Sequence, residues 1–214
     1  MNTNLWDRIE QARAECNVLD HPFYRRWSAG ELTREELADY SGQYRYATEA
    51  IARMSADIAT AAPESERAGL ERHAEEEAEH VAMWDGFVAA VGGTVGAEPH
   101  PETLECVDAW TRADGFGPQL VRMYAVESGQ PGISKAKARG LAEHYGITDA
   151  PGNVYFTVHE KLDVRHATAG RKMIEKHMSD FSEDELVEAA AEAFRANWRL
   201  LDGIALAEGA AAPC

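Results

Sequence analysis

The chain has 214 residues, 45% of them hydrophobic, and is long enough to bury one substantial core. Its 37 acidic residues outnumber 21 lysines and arginines, and the formal charge of -16 would repel nucleic-acid phosphates and anionic membrane surfaces. No apolar run approaches the roughly 20 residues that span a bilayer, and the polar first residues do not resemble a signal peptide. We therefore expect one cytoplasmic domain, residues 1–214, without nucleic-acid or membrane partners.

Helical periodicity dominates the chain, and alternating runs of β-branched and aromatic residues are nearly absent, so an all-α protein is predicted. Proline and glycine clusters mark the breaks, including a sharp one at about residues 129–132. Thr33 with Glu36 forms a capping-box pattern that opens one long helix. The predicted helices cover about residues 5–18, 33–62, 65–91, a short stretch after 101, then 118–128, 134–145, 153–177 and 182–207, with a frayed tail from about 209.

Cysteine usage indicates neither a disulfide framework nor a thiolate zinc site. Cys16, Cys106 and Cys214 are widely spaced and contain no Cys-x-x-Cys pair. Cys106 is a candidate nucleophile, although buried free thiols are more common.

The most informative pattern is the array of His159, Asp163 and His166. Offsets of four and seven residues place these three side chains on one stripe of a helix. Apolar neighbours beside the stripe indicate that it faces inward. Two imidazoles and a carboxylate suit a divalent ion such as iron, manganese or zinc. The alternative is a solvated polar face.

A second stripe lies in the acidic segment before residue 81. His73, Glu77 and His80 repeat the offsets of four and seven, with Glu76 as a rival for Glu77. An acidic helical run is ordinarily solvated surface, so this assignment competes with a simple surface role. Glu127 is a further candidate, because it lies in an apolar stretch where an unpaired carboxylate is costly.

About three imidazoles and three carboxylates exceed the needs of one tetrahedral zinc ion. Such a set suits two ions of iron or manganese, which helical bundles use for dioxygen chemistry. Glu77 and His80 form the Glu-x-x-His pattern of ferritin-like bundles, but a second copy is missing, so that fold is not favoured.

The sequence resembles the heme-oxygenase-like superfamily of thiaminase II and pyrroloquinoline-quinone synthase, and within it the diiron oxidases and oxygenases. The array at residues 159–166 is the most specific point of similarity. The resemblance also rests on the stretch 21–37 followed by Tyr40, Gln43 and Tyr44, on residues 124–127, on Pro131-Gly-Ile, and on Gly140-Leu with Tyr145-Gly146. It implies a bundle of seven to eight helices.

By position, the resemblance implies that Glu127, His159, Asp163, His166 and His80 are iron ligands. The chain departs from the family seven residues before His80, where many members have glutamate and this chain has His73. The variable ligand is therefore left open. The candidates are His73, Glu77, Glu49 and Glu66.

The resemblance also implies two iron ions per chain, with manganese possible, and activation of dioxygen with electrons from an external donor. A small amine or amino-acid-derived substrate that is oxygenated on nitrogen in a biosynthetic pathway is the favoured expectation, and a homodimer is expected. Residues proposed for the substrate pocket are Tyr40, Tyr44, Trp84 and Tyr124, with Arg139 as a further candidate.

Three other functions stay open from sequence. One is oxidative C–C cleavage or decarboxylation of an amino or fatty acid by the same diiron chemistry. Another is a metal-free, thiaminase-like hydrolase with Cys106 as nucleophile. The third is a protein that binds metal without catalysis.

Overall fold

The computed structural model describes residues 4–205 and Cys214. Within this part of the chain the structure has eight α-helices and no β-strand, so the prediction of an all-α bundle of seven to eight helices is confirmed. The helices are α1 (Leu5–Glu15), α2 (Pro22–Ala29), α3 (Arg34–Ala61), α4 (Glu64–Val91), α5 (Pro101–Trp110), α6 (Phe116–His144), α7 (Val154–His177) and α8 (Glu183–Ala205). None of the helices in residues 4–205 is long and apolar enough to cross a membrane.

The long helices pack in pairs around one hydrophobic core. Helix α3 lies against α4, α6 lies against α7, and α4 also contacts α7. Helices α1, α5 and α6 pack against α8. Helix α7 thus lies next to both α4 and α6 in the middle of the bundle, and side chains from all three helices meet there.

Several local predictions are confirmed. Thr33 caps α3 through its side chain, and Glu36 completes the capping box by accepting from the Thr33 backbone N–H at 2.7 Å. Helix α4 ends at Gly92, whose left-handed φ of 76° suits glycine. Helix α2 is absent from the predicted helices. Pro22 occupies its first turn, where the missing N–H of proline costs no hydrogen bond.

The predicted break at residues 129–132 is wrong. Helix α6 runs continuously from Phe116 to His144 with Pro131 inside it. Pro131 has no N–H to donate to the carbonyl of Glu127, four residues earlier. Packing of α6 along α7, α8 and α2 compensates for this lost bond, which local sequence rules do not count.

The expectation that no disulfide is present is wrong for one pair. Cys16 and Cys214 form a disulfide across 198 residues of sequence. Spacing could not indicate it, because the contact between α1 and α8 brings the two ends of the chain together. The predicted frayed tail from Gly209 to Pro213 lies outside the described residues.

Close packing of α2 on α6 depends on a glycine. A Cβ at Gly140 would lie 2.6 Å from the Trp27 ring, and Trp27 Nε1–H donates to the Lys137 carbonyl at 3.2 Å. The Trp27 side chain is fully buried, and in a close-packed core it cannot move without displacing its neighbours. Only hydrogen at position 140 allows this approach.

We expect Gly140→Ala to lower the free energy of unfolding by about 1–3 kcal/mol, because overpacking displaces Trp27. Gly132→Ala on the same helix is the matched control, since nothing lies within 4 Å of its Cβ position. That change should raise stability by about 0.5–1 kcal/mol. Urea denaturation followed by circular dichroism measures both, and equal effects of the two changes would contradict the packing argument.

Candidate metal centre

Three helices bring seven candidate ligands together at the middle of the bundle. The His73 and His166 rings lie with centroids 4.1 Å apart, and the His80 and His159 rings lie 4.3 Å apart. This pairing requires α4 and α7 to run antiparallel, so that residues seven apart on each helix meet in reverse order. Three carboxylates complete the set: Glu77 from α4, Glu127 from α6 and Asp163 from α7.

The donor atoms fall into two groups that share one residue. His73, Glu77, Glu127 and His166 offer atoms within 4.8 Å of one another, and Glu77, His80 and His159 do the same. Asp163 lies at the first group, with Oδ1 3.7 Å from His166 Nδ1. Glu77 belongs to both groups, so its carboxylate joins them into one continuous set of donors.

Buried donor atoms without hydrogen-bond partners are concentrated here. Within the described residues, six residues of the cluster each contribute one such atom: His73 Nε2, Glu77 Oε1, Glu127 Oε1, His159 Nε2, Asp163 Oδ2 and His166 Nδ1. Two of these atoms, His73 Nε2 and Glu127 Oε1, lie 2.7 Å apart and form an ion pair with each other. A buried polar atom without a partner is costly, and a native structure keeps such atoms only for a reason. Imidazole nitrogens and carboxylate oxygens are the donors that iron and manganese bind, so the set fits a metal site.

Two of the histidines are oriented by partners outside the cluster. His159 Nδ1–H donates to the Tyr155 carbonyl at 2.7 Å, which leaves the Nε2 lone pair facing the cluster. His166 Nε2 lies 3.0 Å from Glu76 Oε2, while its Nδ1 faces the carboxylates. Glu76 therefore contacts the ring nitrogen of His166 that faces away from the cluster, an arrangement typical of metal-binding histidines.

Burial and mutual charge shift the pKa values of the cluster. Burial, followed by the charges of Glu127 and Glu77, raises the pKa of Asp163 to about 9. Burial disfavours the charged form of His73, but the nearby Glu127 and Glu77 outweigh it and raise its pKa to about 10. Burial and the neighbouring His80 lower the pKa of His159 to about 4. Protons on Asp163 and His73 therefore offset carboxylate charge that a divalent cation could offset instead.

Glu77 is the strongest anion of the cluster. Burial acts to raise its pKa, but the imidazoles of His73 and His80 outweigh burial and hold the pKa of Glu77 well below its usual range. Its Oε2 lies 3.1 Å from His80 Nδ1 and its Oε1 lies 3.6 Å from His73 Nε2. A carboxylate that stays ionised between two imidazoles suits a bridging position.

The structure separates the candidates for the variable ligand. His73 and Glu77 both lie in the cluster. Glu49 is exposed and pairs with Arg45 at 2.6 Å. Glu66 pairs with Lys176 and lies outside both groups of donors.

A cavity of about 360 Å³ opens onto the first group of donors. His73, Glu127 and His166 form part of its lining, as does Tyr124. Of the aromatic residues proposed for the substrate pocket, Tyr124 therefore lies at this cavity. Tyr40, Tyr44 and Trp84 are fully buried in an aromatic core behind the cluster, and Arg139 is exposed beside Glu143.

Comparison with known proteins identifies the chain. The family described as iron-containing redox enzymes matches residues 39–200, most of the chain and every member of the cluster. The chain belongs to this family. The predictions of an iron-dependent oxidoreductase and of the resemblance to heme-oxygenase-like proteins are thereby confirmed.

Relatives with assigned names extend along nearly the whole chain. A 4-aminobenzoate synthase of Chlamydia muridarum is 30% identical, over 94% of this chain and 90% of the relative. A 4-aminobenzoate synthase of Nitrosomonas europaea is 32% identical, over 92% and 88% respectively. The similarity therefore includes all three helices that build the cluster.

Solved structures share the fold. A Shewanella denitrificans domain of unknown function with a heme oxygenase-like fold superposes with a TM-score of 0.80 at 19% identity, over 99% of this chain and 98% of that one. A TenA homologue from P. horikoshii superposes with a TM-score of 0.73 at 16% identity, over 92% of this chain and 95% of that one. At these identities the similarity shows the heme-oxygenase-like fold alone.

Sequence reasoning missed one unusual residue of this family member, Lys137. It is fully buried on α6, and its Nζ lies over five aromatic rings at 4.5–5.6 Å from their centroids. Burial lowers the pKa of Lys137 well below its ordinary value. A signal was available, because Ile133 and Leu141, four residues before and after it, place position 137 on an apolar stripe.

Cys106 does not form a nucleophilic site. It is a free, fully buried thiol on α5, and burial raises its pKa far above the ordinary value. A thiol kept protonated in the core is unreactive. It also lies outside the residues that line the cavity at the cluster.

We expect Glu76→Ala to weaken divalent metal binding by about 10–100-fold, because His166 loses the partner that orients its ring. Glu75→Ala is the matched control: it removes the same charge one residue away, from an exposed side chain. Free Mn²⁺ measured by electron paramagnetic resonance gives both affinities. If the two variants bind Mn²⁺ equally, the orienting role of Glu76 is wrong.

We expect Lys137→Met to stabilise the protein, and more so at pH 7 than at pH 10. The unfolded chain binds a proton at Lys137 below about pH 10, while the folded chain keeps the amine neutral to a lower pH. Folding therefore releases a proton, and stability falls with decreasing pH by up to about 1.4 kcal/mol per unit until the folded pKa is reached.

Urea denaturation of both proteins at the two pH values measures this effect. The exposed Lys135→Met on the same helix is the control, and its effect should not change with pH. A gain from Lys137→Met that is the same at pH 7 and pH 10 would show that Lys137 is charged in the folded protein.

Proposed function

We propose that this iron-containing redox enzyme is a diiron oxygenase that acts in the formation of 4-aminobenzoate. The observation that carries the proposal is the set of six imidazole and carboxylate side chains in two groups that share Glu77, with Asp163 beside the first group. The product is taken from the names of relatives 30% and 32% identical over most of the chain.

In this proposal each group of donors holds one iron ion. His73, Glu127 and His166, with Asp163 beside them, would hold the first, and His80 and His159 would hold the second. Glu77, which belongs to both groups, would contribute a carboxylate oxygen to each. Iron held there would supply the redox chemistry for activation of dioxygen, with electrons from an external donor. Manganese at either position is compatible with the same donor set.

The protein's own residues contribute orientation and exclusion of water. The Tyr155 ring stacks on His159 with centroids 3.9 Å apart, and Trp84 packs against Tyr155 at 4.8 Å. This wall is fully buried, so it shields the second group of donors from solvent. The cavity on the other side gives a small molecule access to the first group. Access and shielding therefore lie on opposite sides of the proposed pair of ions.

Other functions account for less of this geometry. A thiaminase-like hydrolase would need a reactive thiol, and Cys106 is protonated and buried. A protein that only stores metal has no use for a cavity beside the donors. Oxidative C–C cleavage would use the same ions, and analysis of the products separates it from oxidation at nitrogen.

Anaerobic titration of Fe²⁺ into the protein tests the metal assignment. We expect two irons per chain, and dioxygen consumption when air is admitted. His159→Ala and Asp163→Ala should each bind at most one iron while keeping the helical circular dichroism spectrum. Full stoichiometry in both variants would contradict the assignment.

Complementation tests the product. Expression in a bacterial host that cannot make 4-aminobenzoate should restore growth without added 4-aminobenzoate, and the Asp163→Ala variant should not. If iron binds and dioxygen is consumed but growth is not restored, the oxygenase assignment survives and the product assignment is wrong.

A further inference from the structure

The cavity at the first group of donors has two ends of different chemistry. Its inner end is formed by buried or half-buried His73, Glu127 and His166. Its outer lining includes two exposed guanidinium groups, Arg72 from α4 and Arg165 from α7. A molecule that fills the cavity therefore meets imidazole and carboxylate donors at one end and two guanidinium groups at the other.

The antiparallel arrangement of α4 and α7 places the two arginines at the same level. His73 pairs with His166, and each arginine directly precedes one of these histidines in sequence. A one-residue step turns a helical side chain by about 100°, so both guanidinium groups lie to the side of the donors. The Arg72 guanidinium reaches back over Gly69, whose Cβ position would be 3.9 Å from Arg72 Nη2.

Neither guanidinium has an acidic partner in the part of the chain that the structure describes. Among the described residues, no carboxylate forms an ion pair or hydrogen bond with Arg72 or Arg165. Other arginines do have such partners, for example Arg122 with Asp114 and Arg45 with Asp85. In a chain with a formal charge of -16, two unpaired arginines at one cavity are positioned to attract an anion.

The walls between the two ends are apolar. Leu120, Met123 and Tyr124 from α6 face Leu70 from α4 and Met173 from α7 across the cavity. A volume of about 360 Å³ is near the lower limit of small-molecule sites, roughly 300–1,000 Å³. The space accepts a flat apolar body such as a benzene ring with small substituents.

We propose that the cavity binds a small aromatic carboxylate, with its carboxylate at Arg72 and Arg165 and its opposite end at the donor cluster. The identity of the ring substituents rests on the proposed function: in 4-aminobenzoate the amine lies opposite the carboxylate and would face Glu127. Without a bound metal ion, the carboxylates of Glu127 and Glu77 make the inner end less favourable for a ligand carboxylate than the outer end.

Glu76 is the one acidic residue in the outer lining, and it is held by His166 Nε2 at 3.0 Å. This contact draws its charge towards the cluster and away from the two guanidinium groups. Arg72 and Arg165 thus make the outer end of the cavity attractive to an anionic group. Each guanidinium can donate two hydrogen bonds to one carboxylate.

Isothermal titration calorimetry with the full-length protein tests the proposal, using Mn²⁺ in place of iron so that dioxygen does not react. The probes are 4-aminobenzoate, benzoate and aniline. We expect the first two to bind and aniline, which lacks the carboxylate, to bind at least about tenfold more weakly, as expected for loss of a charge-assisted hydrogen bond. Aniline that binds as tightly as benzoate would overturn the proposal.

The double variant Arg72→Gln with Arg165→Gln should weaken binding of benzoate by about tenfold and leave that of aniline unchanged. Arg139→Gln, an exposed arginine on another face, is the matched control and should change neither. Unchanged benzoate affinity in the double variant would mean that the carboxylate binds elsewhere, for instance to the metal, and would overturn the proposal.

The same titration repeated without Mn²⁺ separates this inference from the proposed function. Benzoate binding that depends on the two arginines with or without Mn²⁺ supports the carboxylate site, even if Fe²⁺ titration finds no diiron centre. If benzoate binds neither with nor without Mn²⁺, the carboxylate site is overturned. The diiron assignment then depends on the Fe²⁺ titration alone.

Discussion

Burial of several carboxylates against several imidazoles is the constraint on which the rest of this structure depends. An isolated buried carboxylate is strongly disfavoured, and this bundle places Glu77, Glu127 and Asp163 in one small volume. Protons on His73 and Asp163 supply part of the compensation, and the unpaired donor atoms show that it is incomplete. The proposed iron ions would complete it, so folding and metal binding are coupled through the same side chains.

That constraint explains the long, continuous helices. Each of α4 and α7 must present residues seven apart to the same volume, which takes two full turns of regular helix. Helix α6 continues through Pro131, directly after the turn that carries Glu127. Continuity also places Lys137 in the aromatic core below the cluster, where burial lowers the pKa of its amine well below the ordinary value. A break at Pro131 would have separated these two residues.

The site is asymmetric, and its asymmetry indicates how it works. Aromatic rings close the side of His80 and His159, whereas the cavity opens at His73, Glu127 and His166. This division suits a reaction that must exclude water on one side of the site and admit a small molecule on the other. The two arginines at the outer end of the cavity favour an anionic ligand, and the apolar walls favour a flat one.

The sequence by itself determined the fold class, the capping of α3 by Thr33 and the two stripes with offsets of four and seven, because each depends on periodicity within one helix. It also singled out Glu127, because an apolar stretch makes an isolated carboxylate costly wherever the stretch folds. Only the tertiary structure decided that His73 and Glu77 both join the cluster while Glu49 faces solvent. It also decided that α6 is continuous, that Cys16 meets Cys214, and that Lys137 is buried, since these outcomes depend on which helices pack together and not on neighbours along the chain.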